Sequence, residues 1–216
     1  LKKRVTRPMS DSCVFIVDDD EAIRSSLSRA LRARGYIVED FPSAQAFLDS
    51  GKFEQPGCLI LDFGMPEISG LDLQQHLVKR GRAIPIIFIT GHGGVPEAVQ
   101  AMKYGAVDFL EKPFRQEVLM RRIETALELD AQARRVDDKA RTIRNNFEKL
   151  TGREKEIAEF LVSRPSNSSS KDVARHLNIS PRTVDHHRAR ILEKMSIQSV
   201  AELVDLSNAA NLFPRK

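Results

Sequence analysis

Three short stretches far apart in the chain carry side chains that could do chemistry together: Val17-Asp18-Asp19-Asp20, Leu61-Asp62-Phe63-Gly64-Met65-Pro66 and Glu111-Lys112-Pro113-Phe114. Each sits at the C-terminal end of a short apolar run. In an open parallel sheet the carboxyl ends of the strands are where ligands bind, so acids from two strands and an ammonium from a third are expected to meet there. Asp18, Asp19 and Asp62 crowded together cannot all stay ionised without a cation among them, and hard oxygen donors favour Mg²⁺. The chemistry such a pocket suits is the handling of a phosphoryl group beside a divalent ion. Asp62 at the end of an apolar strand would be costly to bury without a partner. Asp20 reads instead as an acid serving a helix N-terminus.

The elements that must position these residues follow from periodicity. Apolar runs at Cys13 to Val17, Tyr36 to Phe41, Cys58 to Leu61, Pro85 to Thr90 and Val107 to Leu110 alternate with stretches of helical spacing, among them Ile23, Leu27, Ala30 and Leu31. Five strands alternating with five helices imply an α/β fold with a five-stranded, parallel, doubly wound sheet. The near-continuous apolarity of the strands agrees, because such sheets are covered on both faces.

Ala126, Leu129, Ala133, Val136, Ala140, Ile143, Phe147 and Leu150 then recur at alternating steps of three and four, with charged residues between them. This is an a/d seam, open to two readings: a helix paired with a second copy, or a single exposed helix resting on its own domains. Its three alanines make the seam weak. Beyond it, Thr151-Gly152-Arg153-Glu154 has the capping-box pattern, followed by the stripe Ile157, Phe160 and Leu161. Residues 164–170 read as a loop, Lys171 to Leu177 as a helix, Asn178 to Ser180 as a turn, and Pro181 to Met195 as a helix with Ser180 as its cap. Two helices joined by so short a turn make a helix-turn-helix, and a last helix is expected from Ser199 to Leu206.

The length of 216 residues suits two modest domains. With 41% hydrophobic and 30% charged residues the composition is that of a folded chain, which excludes wholesale disorder. No run approaches the roughly 20 apolar residues of a membrane span and no signal peptide is evident, so a cytoplasmic location without membrane contact is the default expectation. Cys13 and Cys58 lie in strand-like runs and read as small core residues, with neither metal spacing nor a disulfide framework. Charge is uneven: residues 148–216 hold 12 Lys and Arg against 9 Asp and Glu, whereas residues 9–147 hold 18 against 21. That asymmetry points to the rear half as the part that meets nucleic acid. Residues 1–8 carry four basic residues and no acid, and Met9 is the first plausible start, so this leader reads as foreign to the domain or as a disordered tail.

Taken together, Val17-Asp18-Asp19, Leu61-Asp62, Met65-Pro66, Ile89-Thr90-Gly91-His92-Gly93 and Lys112-Pro113-Phe114 resemble the receiver of a two-component response regulator. Ile179-Ser180-Pro181-Arg182-Thr183-Val184-Asp185-His186-His187-Arg188 resembles the recognition helix of a LuxR-type (NarL/FixJ) helix-turn-helix. Phe88 through Gly93 and Ala101 through Phe114 look most like the FixJ group. The resemblance implies a flavodoxin-like receiver at residues 9–127, a helical linker at 128–147 and an all-α, four-helix DNA-binding domain at 148–216. It implies a transcription regulator rather than an enzyme, with Asp62 taking a phosphoryl group from a sensor histidine kinase.

By the same resemblance Asp19, Asp62 and the Gly64 carbonyl would ligate Mg²⁺, with Asp18 acting directly or through water. Thr90 and Lys112 would hold the acyl phosphate, Phe109 would be the switch aromatic, and Lys112-Pro113 would be cis. Phosphorylation is expected to reshape the face formed by the fourth helix, fifth strand and fifth helix and to favour a homodimer on promoter DNA, where RNA polymerase is the further partner. Thr183, Asp185, His186 and Ala189 are candidates for base edges, Lys171, Arg182, Arg188 and Arg190 for phosphates, and His187 for a structural role.

Two departures stand out. Gly64 replaces the longer polar side chain common two residues after the phosphoacceptor, so an atypical autodephosphorylation rate is expected. The loop at residues 164–170 is about three residues longer than usual and lacks Gly, with Ser170 in place of an Asn. Two other classes compete. A nucleotide-binding enzyme is disfavoured because acids, not a Gly-x-Gly-x-x-Gly or Walker pattern, follow the first strand. A phosphorylation-independent interaction module on a constitutive DNA binder is disfavoured by the complete set of acids, Thr and Lys.

Overall fold

A computed structural model describes residues 12–81, 84–91 and 94–213. The basic leader, Met9, His92 and Gly93 lie outside the described residues. The chain forms two units, one through Ala133 and one from Arg134.

In the first unit, strands β1 (Cys13–Val17), β2 (Ile37–Phe41), β3 (Gly57–Asp62), β4 (Ile86–Thr90) and β5 (Asp108–Glu111) pair in parallel in the order β2-β1-β3-β4-β5. The chain order reverses between β1 and β3, the switch point at which strand ends leave a crevice. Strand periodicity sends alternate side chains to opposite faces. Phe15, Val17, Leu59, Leu61 and Phe88 pack with Phe47, Leu73, Leu77 and Ala101 of α2 (Ala44–Ser50), α3 (Gly70–Lys79) and α4 (Val95–Lys103). Val14, Ile16, Ile60, Ile87 and Ile89 pack with Leu31, Leu119 and Ile123 of α1 (Glu21–Arg32) and α5 (Gln116–Glu148). Every residue of β1, β3 and β4 is buried, which is why these strands read as unbroken apolar runs. Cys13 and Cys58 are free and buried, and burial pushes the Cys13 thiol up to about 11.

α5 is unbroken through residues 128–147. Asp130, buried at 6% exposure, accepts the Gly57 backbone N–H at 2.9 Å, so the helix still belongs to the receiver-side packing three residues past 127. The heptad positions divide. Ala126 is in the first core, Leu150 in the second with Ile143 and Phe147 against it, while Leu129 and Val136 are exposed at 45% and 66%.

The second unit packs α6 (Gly152–Ser163), α7 (Ser170–Leu177), α8 (Pro181–Met195) and α9 (Val200–Ala209) around Leu150, Ile157, Leu161, Val173, Val184, Ile191 and Leu203. The stretch expected to be loop contains a single 3₁₀ turn, Pro165–Asn167, with Pro at its first position, and α7 begins one residue early behind a Ser169 cap. Asn178 and Ser196 end α7 and α8 in the left-handed conformation.

α6 carries the reciprocal capping box of Thr151 and Glu154. Glu154 is 1% exposed, and its carboxylate accepts from Lys194 Nζ at 2.7 Å and from the Thr151 N–H at 2.8 Å. Burial raises its pKa, but these donors together outweigh it and hold the carboxyl down at about 2 against an ordinary 4.5. A carboxyl depressed in the folded state contributes stability above its unfolded pKa and loses it as pH falls through the folded one. The thermal stability of the second unit should therefore fall as pH drops from about 5 to about 2. Replacing Glu154 by Gln should flatten that pH dependence in circular-dichroism melts; an equally steep fall in the variant would show that other groups carry it.

Candidate functional site

Asp18 follows the last residue of β1, Asp62 is the last residue of β3, and Lys112 follows β5, so the parallel register brings all three to one edge. Lys112 Nζ donates to Asp62 Oδ1 at 2.7 Å and to Asp18 Oδ2 at 2.8 Å. Asp18 and Asp62 are 1% and 8% exposed. Asp18 Oδ1 accepts the Asp20 N–H, and Asp62 Oδ2 accepts the Gly64 N–H at 2.8 Å. Burial raises the Asp18 pKa against the hydrogen bonds from Lys112 and Asp20, with the Asp62 charge adding to the rise. Burial opposes the Lys112 charge, yet its hydrogen bonds to Asp18 and Asp62 prevail and its pKa is raised. Asp19 is exposed beside this core, and among the described residues no group of three or more acidic, His or Cys side chains is gathered in the manner of a metal site. Asp20 caps α1 through the N–H groups of Ala22 and Ile23. The Lys112-Pro113 bond is cis.

Thr90 ends β4, buried at 2% exposure, and its carbonyl accepts the Lys112 N–H at 2.7 Å. Phe109 on β5 is half-buried, with its ring centroid 5.6 Å from Phe63 and 6.1 Å from Phe88. The aromatic side chain of β5 thus touches the residue directly after Asp62.

In the second unit, α7 and α8 form the helix-turn-helix, and Lys171, Arg182, Thr183, Asp185, His186, Ala189 and Arg190 are exposed. Thr183 Oγ1 lies 2.7 Å from the Ser180 cap hydroxyl. Asp185 and Arg188 are bonded within the domain: Ser170 Oγ donates to Asp185, and Arg188 donates to the Ser168 carbonyl and to Ser170 Oγ. His187 is half-buried, and its Nδ1 is buried with no hydrogen-bond partner.

Residues 14–124 match the family described as response regulator receiver domain, and residues 148–207 match bacterial regulatory proteins of the luxR family. The chain belongs to the response regulators with a LuxR-type DNA-binding domain. It is similar to the response regulator protein TodT of Pseudomonas putida, 45% identical over 200 residues that cover 92% of this chain and 87% of TodT. It is also similar to the transcriptional regulatory protein FixJ of Rhizobium meliloti, 42% identical over 206 residues covering 95% and 100%. Among solved structures, response regulator StyR matches with a TM-score of 0.80 and 40% identity, covering 92% of this chain and 98% of that one. This response regulator is a phosphorylation-activated, DNA-binding regulator of transcription, with a kinase and DNA as its partners. Among the described residues no helix is long and apolar enough to cross a membrane.

Two supports of the regulator's acidic pocket escaped the sequence reading. Arg24 on α1, whose side chain is 13% exposed, donates from Nη1 to the carbonyls of Asp18 at 2.8 Å and Asp19 at 3.0 Å. Asp40 on β2 backs it, 3.8 Å from Arg24 Nε, and accepts from Ser28 Oγ at 2.9 Å. The only sequence signal was an Arg four residues into the first helix, indistinguishable from a solvated one. Gly70 is the second support. It starts α3 behind the Ser69 cap, its N–H donates to the Phe63 carbonyl, and a Cβ there would stand 2.4 Å from the Asp62 carbonyl oxygen. Gly70→Ala must push α3 or the end of β3 aside, so the first unit should lose about 1–3 kcal/mol in denaturant unfolding. An unchanged midpoint would mean that α3 moves freely against the phosphoacceptor strand.

Proposed function

We propose that Asp62 is the phosphoacceptor, and the observation that carries this is one ammonium, Lys112 Nζ, bridging Asp62 and Asp18. An Asp62 carboxylate oxygen forms the new P–O bond as the P–N bond of a kinase phosphohistidine breaks and the imidazole nitrogen leaves with the electron pair. The phosphoryl group brings negative charge to a place that already holds two buried carboxylates and an exposed third, with one ammonium against them. A divalent cation would offset the excess. The donors suit Mg²⁺: Asp19, Asp62 and the Gly64 carbonyl would hold it, with Asp18 directly or through water. Bound there, it would neutralise charge on the phosphoryl oxygens. Lys112 then pairs with the acyl phosphate and the Thr90 hydroxyl donates to one of its oxygens. Phe109, against Phe63, follows the rearrangement at Thr90 as the switch aromatic.

The readout is dimerisation and promoter binding in the cytoplasm. α4 presents Val95, Val99 and Met102 to solvent, with exposed Tyr104 just past its end, and this apolar patch supports a homodimer through the α4, β5 and α5 face. The exposed side chains of Lys171, Arg182 and Arg190 suit phosphates, and those of Thr183 and His186, with Ala189, suit base edges in the major groove. At a promoter the dimer meets RNA polymerase.

Incubated with a small phosphodonor, the parent protein should be labelled only with Mg²⁺ present, and Asp62→Asn should take no label. Persistent label on Asp62→Asn would move the acceptor elsewhere. At exposed Gly64 a Cβ would lie 3.7 Å from Asp62 Oδ2, ordinary contact, so a longer side chain can be introduced without refolding the loop. Gly64→Arg should change the lifetime of the phosphorylated form in a label-chase experiment; an identical lifetime would remove the significance of the missing side chain.

A further inference from the structure

We propose that Ser170 is a positioning residue for DNA binding: it clamps the N-terminus of α7 onto α8 through Asp185 and Arg188, so that the Arg188 charge is committed inside the domain and not to a DNA phosphate. Asp185 and Arg188 are three residues apart on α8 and therefore share a side of that helix. Ser170 is the first residue of α7, and its single hydroxyl is used twice. As donor it satisfies Asp185 Oδ1, and as acceptor it takes Arg188 Nη1 at 3.3 Å. The same Nη1 donates to the Ser168 carbonyl at 3.0 Å, so one guanidinium ties both the loop and the helix start to α8.

The neighbouring groups sharpen the contrast. Ser169 is the actual cap of α7, its Oγ accepting the Asp172 N–H at 3.2 Å, which leaves the Ser170 side chain free to face α8. Arg188 is half-buried, whereas Arg182 and Arg190 on the same helix are exposed. Two acceptors, one of them a backbone carbonyl of the loop, hold Arg188 Nη1 inside the domain. The clamp also supplies what the longer loop otherwise lacks. Within residues 164–170 the Pro165–Asn167 turn and the Ser169 cap fix where α7 begins, and Ser170 with Arg188 adds the link that holds that start against α8. The orientation of α7 against the recognition helix then sets how its uncharged N-terminal N–H groups approach the backbone of the duplex.

Counterion release separates a phosphate contact from a clamp, because each phosphate neutralised on duplex DNA adds about 0.9 to the magnitude of the negative slope of log affinity against log salt. The full-length phosphorylated protein is titrated with a random-sequence duplex over a salt series. Ser170→Ala and Arg188→Ala should each weaken binding by about tenfold with the slope unchanged, the effect of losing hydrogen bonds to a charged group. The double variant should bind no worse than the weaker single, since both remove one clamp. Ser170→Thr keeps the hydroxyl and should restore parental binding, a rescue that decides the matter even if Arg188→Ala fails to fold. Arg190→Ala is the phosphate control and should lower the magnitude of the slope by about 0.9. The inference is overturned if Arg188→Ala lowers the slope as Arg190→Ala does, or if Ser170→Ala binds like the parent.

Discussion

One ammonium between two buried carboxylates is the constraint on which the first unit turns. Lys112 Nζ stands within 2.8 Å of both Asp18 and Asp62, and three different strands have to end at the same edge of the sheet for that to happen. Removing Lys112 would leave two carboxylates without a counter-charge in a site where Asp18 is almost wholly buried, so the ammonium is the partner the trio depends on. It is also unfinished as electrostatics. Two carboxylates face one cation and a third acid stands exposed beside them, which is the imbalance a metal ion and a phosphoryl group would alter together.

The surroundings are arranged so that this imbalance is held and not relaxed. Arg24 fixes the carbonyls of the acidic loop from below, Asp40 and Ser28 hold Arg24, and Gly70 lets α3 start against the carbonyl of Asp62. None of these groups points a charge into the pocket as a ligand would. They restrict the backbone of the residues that do, the usual role of an outer layer around a site where small displacements matter. Phe63 meets Phe88 and Phe109 edge-on and the latter two are tilted against each other, so an apolar aromatic cluster packs beside the residue that follows Asp62.

The second unit repeats the logic with different residues. Glu154 and Lys194 join α6 to α8, and the Ser170, Asp185 and Arg188 cluster joins α7 to α8, so the helix that carries the exposed basic and polar face is braced on two sides by charge-assisted hydrogen bonds. Charge is divided between interior and surface. Glu154 and Arg188 serve the fold, while Arg182, Arg190 and Lys171 remain exposed. A net basic composition alone cannot make that division, because it counts every Arg alike.

Much of this was legible in the chain itself, for physical reasons. Strands buried on both faces must be continuously apolar, so β1, β3 and β4 announced themselves, and the acids at their ends stood out as residues that burial would otherwise forbid. Helix starts were equally local: Ser180 before Pro181 and the Thr151 and Glu154 pair act within one turn, where sequence neighbours are spatial neighbours. What only the tertiary structure decided were the pairings across long separations. Arg24 on two carbonyls, Asp130 on Gly57 seventy-three residues away, and Arg188 on Ser168 and Ser170 all depend on which helix face meets which loop. An Arg or Asp carries no local pattern that separates a clamp from a solvated charge. The sequence determined where charge could gather; packing alone settled which charges are used up inside the molecule and which are left to meet a partner.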